Sequence, residues 1–251
     1  MTSMDSSDGE PRDLASSDSS LPEVEVEAKP ERIVETVMLA NLIVAVLSVF
    51  LFAWIAEDVV RQRTWTFDLG VRNAVHSVAS PWLTHLAFAG AFIGGDGLVA
   101  AAVAVTGIFY FKRWHRAAAR TVVTLAGALV IDVALKYAFH RPRPMPFYGA
   151  MPHSYSFPSG HALFSFCFYG VLAGLLAVRL RTRWLRWLLW AAAALLVLGV
   201  GLSRIYLGVH YPTDVLAGFL AAAVWTSTMI VLDRMRTRRK EGVTRISTSP
   251  G

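Results

Sequence analysis

Three short polar clusters interrupt an otherwise apolar chain. Lys136 is followed, six residues later, by Arg143-Pro144. Pro158-Ser159-Gly160-His161 comes next. Ser203-Arg204 comes last, with five residues to His210 and three more to Asp214. Lys136, Arg143 and Arg204 bring positive charge; arginine grips phosphate oxygens with paired donors, and lysine acts as a point charge. Ser159 suits a helix N-cap, and the amides after it have no helical partners. With the positive end of the helix dipole they make an anion site, and Gly160 lets a ligand approach the backbone. Pro212 suits the first turn of a helix, which sets His210 just before that helix and Asp214 one turn inside it. The pair reads as a nucleophile and the carboxylate that orients it, leaving the second ring nitrogen free to attack phosphorus. His161, on a different helix, is placed to protonate the departing oxygen. Pro144, Pro158 and Ser203 read as support for these groups. Together the residue types match a phosphoryl group, whose negative charge grows toward an in-line transition state.

The elements that hold these groups are apolar runs. The chain has 251 residues, 55% hydrophobic and only 17% charged, with a mean hydropathy of +0.47. A soluble domain carries about a quarter charged residues. Residues 1–31 hold nine of the 18 acidic residues and two of the 24 basic ones, so the remainder carries a net of +13. That excess sits at the ends of apolar runs, which points to membrane topology and not to nucleic acid. Residues 1–31, rich in Ser, Asp, Glu and Pro, are expected to be a disordered acidic tail. Residues 32–235 form the membrane domain, and 236–251 a basic disordered tail. No signal peptide is expected at the acidic start.

Six runs are each long enough to cross a bilayer as a helix: about 34–56, 82–111, 117–139, 159–180, 184–203 and 212–232. The second is long and interrupted by Gly94-Gly95-Asp96-Gly97, so it is tilted or broken. Between the first two, Phe67, Leu69, Val71, Val75 and Val78 sit at mixed helical spacing, as in a short amphipathic helix on the outer membrane surface. The expected fold is all-α, a polytopic bundle of six transmembrane helices. Lys and Arg crowd the second–third and fourth–fifth loops and the C-terminal segment, giving both termini a cytoplasmic location. All three polar clusters then face outward from the cell (inner or plasma) membrane. Arg61, Arg63, Arg141 and Arg143 defy the charge bias, and misplaced charge invites a functional reading.

The joint pattern, K-x6-R-P, P-S-G-H and S-R-x5-H-x3-D, resembles the signature of the type-2 phosphatidic acid phosphatase superfamily at every position, over about residues 80–232. Vanadium haloperoxidases share the constellation, but those relatives are soluble. The resemblance implies a phosphatase using no metal and no cofactor, acting through a phosphohistidine intermediate. It makes His210 the nucleophile, Asp214 its partner and His161 the general acid. Lys136, Arg143, Arg204, Ser159 and Gly160 become the phosphate cradle. The expected partners are the bilayer and a lipid phosphate: a polyprenyl diphosphate first, or phosphatidylglycerol phosphate or phosphatidic acid. Alternatives are a lipid-to-lipid phosphotransferase and a non-catalytic binder or transporter of anionic lipids. Asp132, one turn before Lys136, reads as its i,i+4 ion-pair partner. Tyr206 and Tyr211 read as interfacial anchors. Cys167, the sole cysteine, reads as a small buried hydrophobe, and Gly170 to Gly174 as ordinary helix packing. Asp96 has no assignment, His76, His85 and His115 have no recognisable partners, and His140 and His153, near the site in or beside the third–fourth loop, are left with no assigned role.

Overall fold

A computed structural model describes the backbone of residues 28–247 and the side chains of residues 35–236. Among the described residues the secondary structure is helical throughout: α1 (Ala28–Val60), α2 (Trp65–Ser77), α3 (Pro81–Gly94), α4 (Asp96–Phe111), α5 (His115–Phe139), α6 (Gly160–Ala177), α7 (Arg183–Tyr206) and α8 (Pro212–Ser247). Five of the described helices are long and apolar enough to cross a membrane, and α3 with α4 passes the same test only as a pair bent by 40°, which gives up to six spans. The bend falls at Gly95, inside the glycine-rich interruption. The expected surface helix is α2. It carries Asp68 and Arg72 buried on its inner face.

Helix ends follow local chemistry. Pro81 opens α3 behind Ser80, whose hydroxyl accepts from the Leu83 amide. α5 stops at His140, a left-handed residue at φ 47°, ahead of Pro142 and Pro144, which cannot extend a helix. Gly208 turns the α7–α8 link at φ +76°, where a Cβ would lie 2.7 Å from the Phe147 amide nitrogen. Two ends differ from expectation. α1 begins at Ala28, inside the segment expected to be an acidic tail, whose residues 1–27 lie outside the described ones. α8 runs on to Ser247, through most of the expected basic tail. Arg, Lys and Glu are good helix formers, and no proline follows Pro212 until Pro250.

α6 is the hub, packed by α5, α7, α8 and the broken pair α3–α4, while α1 lies along α8. Ala128, Leu163, Cys167 and Ala222 are fully buried between α5, α6 and α8, so Cys167 is the small buried hydrophobe its sequence context implies. The outer surface is apolar instead of polar. Only 6% of the most apolar window of α1 is buried within the protein, and Phe50 and Trp54 stand 70% and 63% exposed. Such a continuous apolar surface is matched to hydrocarbon. The Gly170–Gly174 stripe makes no tight contact: Gly170 faces open space and Gly174 meets only the Trp190 ring, at 3.9 Å.

Candidate active site

Two close backbone approaches bring α6 over α8. The Ser159 amide donates to the Asp214 carbonyl at 2.9 Å. A Cβ on Gly218, one turn further along α8, would lie 2.6 Å from the Ser159 carbonyl oxygen. The second and third clusters are therefore joined through main chain. Gly160 brings the first cluster against α6 through its side chains: a Cβ there would lie 2.9 Å from Asp132 Oδ1 and 3.3 Å from Lys136 Nζ. Asp132 and Lys136 form the expected i,i+4 pair at 2.8 Å.

His210 lies in the α7–α8 link, 1% exposed. Its Nε2 is 2.9 Å from an Arg143 terminal nitrogen, and its Nδ1 is 3.3 Å from Asp214 Oδ2. A guanidinium only donates, so Nε2 is the accepting nitrogen and Nδ1 carries the proton toward Asp214. Burial pushes the imidazole down to about 4, against the hydrogen bond to Asp214, so the ring is neutral near pH 7. Arg143 is held by the Ser154 carbonyl and hydroxyl and by the Val209 carbonyl. Burial lowers its guanidinium below the ordinary value, opposed by Asp214 and Asp132.

Two buried polar atoms point to an anion. Ser159 occupies the N-cap of α6, yet its hydroxyl makes no capping bond. Ser159 Oγ and Arg204 Nε are both buried without hydrogen-bond partners, a state that costs free energy unless a ligand satisfies it. His161 feels the charges of Arg204, Lys136 and Arg143 and the His210 ring. Its own ring rests on the break between α3 and α4, with Gly95 so close that a Cβ would lie 3.0 Å from Nε2. The glycine-rich interruption thus belongs to the site, although Asp96 beside it is exposed. Lys136, Arg143, Ser159, Gly160, His161, Arg204, His210 and Asp214 converge. Pro144 and Pro158 are buried beside them, whereas Ser203 spends its hydroxyl on the Val200 carbonyl of its own helix.

The structure adds residues that the sequence reading passed over. Ser156 donates to Asp214 Oδ2, and the Tyr211 amide donates to the same oxygen at 2.8 Å. Asp214 Oδ1 takes a 2.6 Å bond from Arg141. The four arginines expected to defy the charge bias therefore divide. Arg61 and Arg63 pair with Glu57 and Asp58 at the end of α1, while Arg141 and Arg143 enter the site. Tyr206 and Tyr211, expected at the interface, are instead buried at 7% and 5% exposure. Tyr206 has partners inside, bonding Thr84 at 2.9 Å, and Tyr211 lies under the Arg141 guanidinium at 4.2 Å. His76 stacks on Phe147; His140 and His153 are exposed, the former edge-on to Tyr155.

The PAP2 superfamily model matches residues 117–238. Phosphatidylglycerophosphatase B of Bacillus subtilis (strain 168) is 29% identical over 180 residues, spanning 69% of this chain and 87% of that protein. A provisionally named undecaprenyl-diphosphatase of Escherichia coli (strain K12), YbjG, is 31% identical over 155 residues, 58% of this chain and 71% of the relative. A crystal structure of a transmembrane PAP2-type phosphatidylglycerolphosphate phosphatase from Bacillus subtilis shares the fold, with a TM-score of 0.67 at 24% identity over 78% of this chain and 96% of that one. By its family match and by the share of its relatives that it spans, this chain belongs to the PAP2 superfamily, among membrane lipid phosphatases.

Proposed function

We propose that this protein hydrolyses a lipid phosphate through a phosphohistidine at His210, with a polyprenyl diphosphate as the favoured substrate. The observation that carries the reading is the pair of polar groups on the two His210 ring nitrogens, which assigns its tautomer. Arg143 and Asp214 fix it from opposite sides of the ring, and leave the Nε2 lone pair among the cationic groups. When the phosphate oxygens take over the donors of Lys136, Arg143 and Arg204, Nε2 is free. It attacks phosphorus, the N–P bond forms, the P–O bond to the lipid breaks, and the leaving oxygen takes a proton from His161. A water then gives a proton to His161, its oxygen bonds to phosphorus, and the N–P bond breaks to release inorganic phosphate. Asp214 stabilises the cationic ring throughout. Ser159 and the first amides of α6 complete the cradle.

An outward-facing site is supported by the opposite end of the bundle. There Arg179 of the α6–α7 link stacks over Trp114 of the α4–α5 link at 3.7 Å, and Arg120 of α5 pairs with Asp233 of α8 at 3.8 Å. This gathers the basic segments at one end, as the positive-inside rule places them in the cytoplasm. The favoured substrate rests on that orientation, which suits recycling of a polyprenyl carrier, and on relatives named for phosphatidylglycerophosphate and undecaprenyl diphosphate. The test is a panel of isoprenoid and glycerol lipids, mono- and diphosphate, with the wild type and His210→Ala in detergent. Phosphate release by the wild type, highest on isoprenoid diphosphates, unaffected by EDTA and lost in His210→Ala, is expected. Activity retained by His210→Ala refutes the mechanism, as does strong inhibition by EDTA; a phosphorylated second lipid in place of phosphate indicates a transferase.

A further inference from the structure

The least expected feature around the site is a buried chain of alternating charge that begins on the surface helix. Arg141 bridges two carboxylates: one terminal nitrogen is 2.6 Å from Asp214 Oδ1 and the other 2.7 Å from Asp68 Oδ2. Both aspartates are fully buried and the Arg141 side chain is 10% exposed. Asp68 sits in the first turn of α2 and is fixed further by Thr213, whose amide and hydroxyl bond it at 3.1 and 2.8 Å. Thr64, before α2, accepts from Arg141 at 3.3 Å. Arg141 bonds Asp214, Asp68, Thr213 and Thr64, and its face lies on Tyr211. Its donors serve carboxylates and hydroxyls, so it is no part of the phosphate cradle.

A buried ion network is a poor source of stability, because desolvation offsets its attraction. It is an effective source of geometry. Asp214 has two oxygens with different tasks: Oδ1 meets Arg141, while Oδ2 serves Ser156, the Tyr211 amide and His210 Nδ1. We infer that Arg141, held in place by Asp68 of α2, is a positioning residue that fixes the Asp214 carboxylate and tempers its charge toward His210, which makes the surface helix α2 part of the catalytic apparatus. The inference rests on His210 as nucleophile. Without Arg141, Asp214 faces the ring with no cation on its other oxygen, and Asp68 stands behind it unneutralised. The other groups bearing on His210 are Arg143, Arg204 and, across on α6, His161, with Lys136 and Asp132 behind them; none of these changes when Arg141 is replaced.

The experiment compares pH profiles of kcat and kcat/KM for wild type, Arg141→Gln, Arg141→Lys and Asp68→Asn, using full-length protein that elutes as folded in detergent. In Arg141→Gln, kcat falls about 100-fold with KM within about threefold of wild type. Its acid limb rises by about one pH unit, since the ring gains net negative surroundings. Arg141→Lys restores the limb and part of kcat. Should Arg141→Gln not fold, Asp68→Asn keeps the cation and lowers kcat about tenfold at unchanged KM. A rise in KM at unchanged kcat makes Arg141 a substrate-binding group and overturns the inference, as does an acid limb that stays or falls in folded Arg141→Gln, or a wild-type kcat in Asp68→Asn. Activity surviving in His210→Ala is a separate failure, that of the mechanism.

Discussion

Replacing Gly160 by alanine adds one carbon at the point where α6 meets the Asp132–Lys136 pair. The new Cβ would stand 2.9 Å from Asp132 Oδ1 and 3.3 Å from Lys136 Nζ. Ordinary carbon contacts lie near 3.5 Å, so the pair must retreat by about half an ångström or α6 must lift. Neither is free. Asp132 is 5% exposed, and its carboxylate holds Lys136 at 2.8 Å. Overpacking costs about 1–3 kcal/mol, and removing a helical glycine returns up to ~1 kcal/mol, so thermal stability changes by a few degrees only. Catalysis suffers more, because Lys136 and the α6 amides shift apart around the phosphate. Misplacement on an ångström scale costs about 100-fold, so kcat/KM should fall by about 10- to 100-fold, or roughly 1.4–2.7 kcal/mol. The assay is phosphate release from a lipid phosphate in mixed micelles. Gly107→Ala serves as control, since nothing lies within 4 Å of a Cβ there. Wild-type kcat/KM in Gly160→Ala refutes the reasoning about the cradle.

Other perturbations read other parts of the structure. Gly95→Ala places a carbon 3.0 Å from His161 Nε2; the loss should be larger on phosphate monoesters, whose alkoxide needs a proton, than on diphosphates, and equal losses on both count against His161 as the acid. The His210 ring is held at about 4, below its ordinary 6.5, so the unfolded chain takes up the proton first. Stability is then full above pH 6.5 and falls by up to roughly 3 kcal/mol as the pH drops from 6.5 to about 4. Thermal unfolding in detergent measures this, and His210→Gln should flatten that part of the curve. In Gly127→Ala the Cβ would overlap the Trp225 ring at 2.1 Å, breaking an α5–α8 contact anchored by the Trp225 bond to the Thr124 carbonyl. A midpoint lowered by several degrees is expected, and an unchanged one contradicts the packing.

What could be read from the sequence was local. Lys136 and Asp132, or His210 and Asp214, are four residues apart, and such pairs face each other on or beside one helix turn. The spans were legible because hydrocarbon demands long apolar runs. The polar residues that gather around Asp214 from afar were not. Arg141 lies 73 residues from both of its aspartates, Ser156 lies 58 residues from Asp214, and Thr213 lies 145 residues from Asp68. Periodicity carries no trace of such contacts; the one available signal was that Arg141 defied the expected charge bias. Likewise Gly94-Gly95 announced a break, but only the packing of α3 against α6 and α7 places that break on the His161 ring. Tyr206 and Tyr211 looked interfacial because an aromatic ring with a hydroxyl suits either a headgroup layer or a buried partner.

In the proposed mechanism His210 forms a covalent bond to phosphorus. Rapid acid-free quenching of the enzyme with a lipid diphosphate labelled in its terminal phosphate measures it directly; its leaving phosphate needs no proton, so His161→Ala slows hydrolysis of the intermediate more than its formation. An alkali-stable, acid-labile label mapped to His210, formed and consumed at rates compatible with turnover, is the predicted result. Turnover with no label on the protein, or label on Ser159 or any residue other than His210, contradicts it.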